Sequence, residues 1–74
     1  MNIRVKLFAT LRESRGKEIT LEADEGATPA EVLGLLNIDI KDVAILLING
    51  KSGKSDQVLY ENDLLSVFPP LGGG

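Results

Sequence analysis

One stretch of this sequence carries a full set of helix signals, and strand patterns lie on both sides of it. Thr28-Pro29-Ala30-Glu31 offers a hydroxyl to a free first-turn amide and a proline where a missing N–H costs nothing. Its glutamate is placed to reach back and complete a capping box. The helix predicted from Pro29 runs to about Leu36 and presents Val32, Leu35 and Leu36 on one face. Asn37 is a left-handed stop. Gly34 inside the helix costs about 1 kcal/mol relative to alanine, which close packing against a strand would offset.

Before the helix, Ile3, Val5 and Leu7 alternate with polar residues, the period-2 pattern of a half-buried strand. Arg12 to Gly16 is polar and ends in glycine, a connection with room for one helical turn. Ile19 and Leu21 alternate with Glu18, Thr20 and Glu22, so a first hairpin is predicted. After the helix, Val43 to Ile48 is an unbroken apolar run read as a central strand, closed by a turn at Asn49-Gly50. Val58-Leu59 reads as a short edge piece. Asn62-Asp63 forms a turn, and Leu64 to Phe68 forms the last strand.

One helix covers only one face of such a sheet. Parity places Phe8 with Arg4 and Lys6, and Phe68 with Leu64 and Ser66, on the side opposite Ile3, Val5, Leu7, Leu65 and Val67. The helix-free side is therefore expected to carry an apolar patch including Phe8 and Phe68. Such a patch on a small domain marks a partner surface, unless a loop lies over it.

At 74 residues the chain has room for one domain, and a core of that size leaves a thin stability margin. It has no cysteine and no histidine. Disulfides, thiolate metal sites, cysteine nucleophiles and the commonest general base are excluded together. That inventory points away from an enzyme and from a metal site. Net charge is −3, with no basic block for nucleic acid and no apolar run long enough for a membrane span. A cytoplasmic protein is expected.

The sequence ends Pro69-Pro70-Leu71-Gly72-Gly73-Gly74. Two prolines give a stiff extended exit that cannot pair further in a sheet. Glycines lack Cβ, so their backbone enters a channel too narrow for other residues. The last group is a carboxylate, a poor electrophile that must be activated, for example as a mixed anhydride with AMP, before it does acyl chemistry. The alternative is a frayed end with no role. A folded domain over residues 1–68 and a flexible carrier tail over residues 69–74 are expected.

Phe8-Ala9-Thr10-Leu11-Arg12-Glu13 with Gly16, Ile48-Asn49-Gly50, and Phe68-Pro69-Pro70-Leu71 with terminal glycines stand in register over the whole chain. Together they resemble the MoaD/ThiS family of ubiquitin-like sulfur carriers, nearest its molybdopterin synthase small-subunit branch. The resemblance implies an α+β, β-grasp fold, a mixed sheet with one main helix on one face and the first and last strands adjacent and parallel. It implies a carrier rather than an enzyme, with no cofactor of its own. An E1-like adenylyltransferase would use ATP to adenylate the carboxylate of Gly74, and a sulfur donor protein would convert it to a thiocarboxylate. The large subunit of molybdopterin synthase would receive the tail. Lys51-Ser52, the Asn62-Asp63 turn and the plain Leu71-Gly72 approach depart from the family pattern. A carrier of the thiazole or another pathway, a ubiquitin-like modifier joined to lysines, and an interaction domain with an inert tail are the competing readings.

Overall fold

Alternation builds the first strand as expected: in β1 (Asn2–Leu7) Ile3, Val5 and Leu7 are fully buried while Asn2, Arg4 and Lys6 are exposed. The computed structural model describes residues 1–70. A 3-10 turn at Ala9–Arg12 follows, then β2 (Glu18–Glu22), α1 (Pro29–Leu35) and a second 3-10 turn at Ile40–Asp42. The chain continues with β3 (Ile45–Ile48), β4 (Lys51–Ser52) and β5 (Leu64–Phe68). The strands are ordered β2-β1-β5-β3-β4. β1 pairs antiparallel with β2 and parallel with β5, with Arg4 opposite Leu64 and Leu7 opposite Val67. β3 runs antiparallel to both β5 and β4. This is the mixed sheet with adjacent, parallel first and last strands that the resemblance implied.

The helix begins at the predicted cap, though without a bond from the Thr28 amide to Glu31, and buries a different face. Thr28 Oγ1 accepts from the Glu31 amide at 3.3 Å, and Pro29 occupies the first turn. Glu31 turns its carboxylate to the Thr28 hydroxyl at 3.4 Å. Pro29, Val32 and Leu33 are buried and Leu36 is partly so, whereas Leu35 is 64% exposed. The predicted stripe of Val32, Leu35 and Leu36 is therefore rotated. Both stripes have helical spacing, and the docked one includes the first-turn proline, which shares a face with Leu33 at i, i+4. Gly34 faces open space, so no close approach to a strand explains it.

Asn37 is left-handed, with φ 60°. The amides of Asn37 and Ile38 reach back to the carbonyls of Gly34 and Leu33 at 3.1 and 2.9 Å. That is a Schellman stop, and its apolar contact is made by buried Ile38 and Leu33. Arg15, far upstream in sequence, donates to the carbonyls of Leu36 and Asn37 at 3.1 and 3.3 Å. It brings a cation to the negative end of the helix.

Three other expectations change. The apolar run from Val43 yields strand only over Ile45–Ile48, because Val43 closes the second 3-10 turn through its amide to Ile40. The strand itself, β3, lies inside the sheet between β5 and β4, as a central strand should. Val58-Leu59 is not a strand. Leu59 is buried and its amide donates to Ala27 at 2.9 Å, so this segment laces to the loop before α1 and the sheet edge is left to Lys51–Ser52. Between Arg12 and Gly16 lies a turn, and the 3-10 turn sits upstream at Ala9–Arg12.

The two turns at the far end of β5 are clasped together. Asn49, with φ 53°, donates from Nδ2 to Asp63 Oδ1 at 2.8 Å and accepts the Leu64 amide at Oδ1 at 2.9 Å. Asp63 Oδ2 accepts the Tyr60 amide at 2.8 Å. Gly53 is confined by packing, since a Cβ there would stand 2.5 Å from Cδ1 of buried Ile48. Opposite outcomes follow for two glycine-to-alanine changes. Gly53→Ala is expected to destabilise the fold by about 1–3 kcal/mol through overpacking. Gly34→Ala is expected to stabilise it by up to about 1 kcal/mol. Denaturant titration of both variants checks the signs.

Candidate functional site

The uncovered face of the sheet takes the alternate residues of each strand. β5 contributes Leu64, Ser66 and Phe68, with Ile45 of β3 opposite Phe68 and Leu47 opposite Ser66. On the other flank Arg4 and Lys6 of β1 lie opposite Leu64 and Ser66. Ile45 is 52% exposed, and Leu47, Leu64 and Phe68 are half-buried. An apolar strip thus runs along β5 and β3 with a line of cations beside it. The apolar side chains of the other face are already spent on the core with α1.

At one end of the strip Phe8 and Phe68 meet. Their rings are stacked, with centroids 4.1 Å apart and planes 10° from parallel. The stack follows from the parallel pairing. Phe8 continues β1 by one residue, its amide donating to Val67 at 3.2 Å, and Phe68 ends β5 beside it. Arg12 lies over Phe8 with its guanidinium carbon 5.4 Å from the ring centre, while its Nε donates to the Leu7 carbonyl at 2.8 Å. A ring sandwiched in this way holds its position before any partner arrives.

The two residues predicted for partner binding, Phe8 and Phe68, are therefore brought together on the expected face. Pro69 and Pro70 lead out of β5, the first half-buried and the second exposed. The exit starts at the middle strand, where the Phe68 carbonyl is held by the Ala44 amide at 2.8 Å. Leu71, Gly72, Gly73 and Gly74, the rest of the predicted tail, lie outside the described residues. Arg12, expected only to open the connection to Gly16, instead stands over Phe8. Its signal was the four-residue spacing from Phe8 across a short turn. The Asn49–Asp63 clasp had no signal beyond two turn dipeptides. Among the described residues no group of acidic side chains is placed to hold a metal ion, and no helix is long and apolar enough to cross a membrane.

The model of the ThiS family matches residues 5–74, and the chain belongs to that family. It is 27% identical over 81 residues to the molybdopterin synthase sulfur carrier subunit of Arabidopsis thaliana, an alignment spanning 100% of this chain and 84% of that protein. The fold matches small archaeal modifier protein 1 of Haloferax volcanii with a TM-score of 0.79 at 22% identity, over 95% of this chain and 98% of that one. It also matches a chain from the complex of subunits 1 and 2 of molybdopterin-converting factor from Helicobacter pylori. There the TM-score is 0.66 at 20% identity over 100% of both chains. The fold is the β-grasp of ubiquitin-like proteins.

The aromatic stack yields a direct test. A double-mutant cycle on Phe8→Ala and Phe68→Ala should return a coupling of about 0.5–1.5 kcal/mol, the worth of an aromatic pair beyond its buried area. Additive losses in denaturant titrations would mean that the rings do not support one another.

Proposed function

We propose that this chain is a sulfur carrier that works through the carboxylate of Gly74 and supplies sulfur for molybdopterin synthesis in the cytoplasm. The observation that carries the reading is the exit of the chain. The middle strand of the sheet ends at a pre-organised aromatic pair on an open face, and a Pro-Pro segment leads from there towards three glycines. The kinship to a sulfur carrier subunit supports the same pathway. The partners follow from the chemistry. An E1-like adenylyltransferase joins the carboxylate to AMP from ATP and releases pyrophosphate. A sulfide equivalent from a sulfur donor protein attacks the acyl carbon, AMP leaves, and a thiocarboxylate results. The adenylate must be kept from water until sulfur arrives, because hydrolysis returns the starting acid. The large subunit of molybdopterin synthase then receives the tail, with the Phe8–Phe68 face as the docking surface. The Helicobacter pylori complex of subunits 1 and 2 supports a partner of that kind. The chain itself performs no catalytic step and binds no cofactor in this scheme.

A ubiquitin-like modifier begins with the same adenylation, and the likeness in fold to an archaeal modifier keeps that reading in view. Peptide mapping separates the two, because a modifier leaves Gly74 in an isopeptide bond to a lysine.

Tail length is the critical variable. Each residue adds about 3.5 Å of reach, comparable to the whole near-attack distance of about 3–3.5 Å. Deleting Gly74, or adding one residue after it, is expected to abolish activation. Melting should stay nearly unchanged, since Val67 is the last buried core residue among the described residues. Phe68→Glu should weaken binding to the large subunit at least about tenfold while the domain stays folded. Activation of a truncated or extended chain at the wild-type rate would remove the C-terminus from the mechanism.

A further inference from the structure

Beside the aromatic pair, on the flank of Phe8 away from β3, Lys6, Leu7, Phe8, Arg12, Lys17 and Glu18 line a cleft of about 290 Å³. Three cations and one carboxylate leave a local excess of two positive charges, on a chain whose net charge is −3. We propose that this cleft is the electrostatic half of the docking face. It takes the carboxylate side chains of an acidic segment on the large-subunit partner that covers Phe8 and Phe68. The inference rests on the carrier reading above and deepens it by naming the chemistry of that partner's surface.

Lys6 and Lys17 form no ion pair among the described residues. Among the described residues the only ion pair is Lys41–Asp39, at 3.7 Å on the other side of the sequence from this cleft. Glu18 stands opposite Lys6 in the β1–β2 register without forming such a pair. Arg12 is aimed. Its Nε is tied to the Leu7 carbonyl, and its two terminal nitrogens make no hydrogen bond among the described residues. A guanidinium fixed in that way presents its outer edge for paired bonds to a carboxylate.

The cleft also indicates the size of its ligand. Two of its backbone amides are engaged: the Leu7 amide donates to Lys17 at 2.9 Å, and the Phe8 amide donates to Val67. The cations of the lining, Lys6, Arg12 and Lys17, are all exposed side chains. A protein surface that buries the outer sides of Phe8 and Phe68 brings its own side chains over Lys6, Arg12 and Lys17 without further motion. Burial next to the rings would then strengthen each charge contact, and contacts left at the rim would act mainly on the rate of encounter.

The test measures association of the full chain with the molybdopterin synthase large subunit encoded in the same genome, at about 0.05 M and about 0.5 M NaCl. The wild-type association rate should fall at least about tenfold across that range, the mark of electrostatic steering. Lys6→Glu/Lys17→Glu should associate at least about tenfold more slowly at low salt and lose or invert the salt dependence. Lys41→Glu/Lys54→Glu makes the same change in net charge and should stay within about threefold of wild type. Thermal melts confirm that both double variants fold. Wild-type association by Lys6→Glu/Lys17→Glu, or an equal loss in the Lys41→Glu/Lys54→Glu control, would overturn the inference and leave the carrier reading standing. A wild-type chain that neither binds the large subunit nor gains sulfur at Gly74 would sink both.

Discussion

The parallel pairing of β1 with β5 is the contact on which the remaining structure depends. It places Ile3, Val5 and Leu7 beside Leu65 and Val67, all fully buried, as the floor on which α1 packs. Each fully buried aliphatic side chain contributes on the order of 1.5–3 kcal/mol. In a chain without disulfides this floor has to supply most of the stability. Because side chains alternate, the same register pushes Arg4, Lys6, Leu64, Ser66 and Phe68 to the other face. Shifting it by one residue would exchange core for surface along both strands. Stability and the make-up of the open face are therefore set by a single alignment.

That alignment also fixes where the chain leaves. β5 has neighbours on both sides, so its end is held by the Phe8 amide reaching Val67 and the Ala44 amide reaching the Phe68 carbonyl. The Phe8–Phe68 stack and the Arg12 guanidinium above it add a third anchor. At the opposite end, the Asn49–Asp63 clasp fixes the entry into β5. Anchored at both ends, the middle strand is a rigid mount. A partner that grips the aromatic pair therefore meets a surface with little orientational freedom left to lose on docking. The cation line along the apolar strip is placed to steer such an encounter.

Much of this was legible in the sequence, and the losses have physical causes. Period-2 alternation marked β1, β2 and β5 with nearly their observed bounds, and parity alone put Phe8 and Phe68 on the open face. The Thr28-Pro29 start and the Asn37 stop were readable because caps use few residue types. The buried stripe of the helix was not, since two stripes of a seven-residue helix have the same spacing. Val58-Leu59 looked like strand because a buried anchor in a loop and a short strand share composition. Lys51–Ser52, the real edge strand, has no apolar signal at all. Long-range polar contacts, Arg15 at the helix end and Asn49 with Asp63, leave no local trace. The cationic cleft was equally silent, because Lys6, Arg12 and Lys17 converge only after β1 pairs with β2.

The central claim is that the chain acts through a sulfur atom carried at Gly74. Its most direct test is the intact mass of the full-length chain after incubation with its activating enzyme, ATP and a sulfur donor, followed by fragmentation. The account predicts a gain equal to the exchange of one oxygen for one sulfur, located at the C-terminal residue and absent when ATP is withheld. An unchanged mass under conditions where the activating enzyme consumes ATP on the chain, or a sulfur located elsewhere, would contradict it.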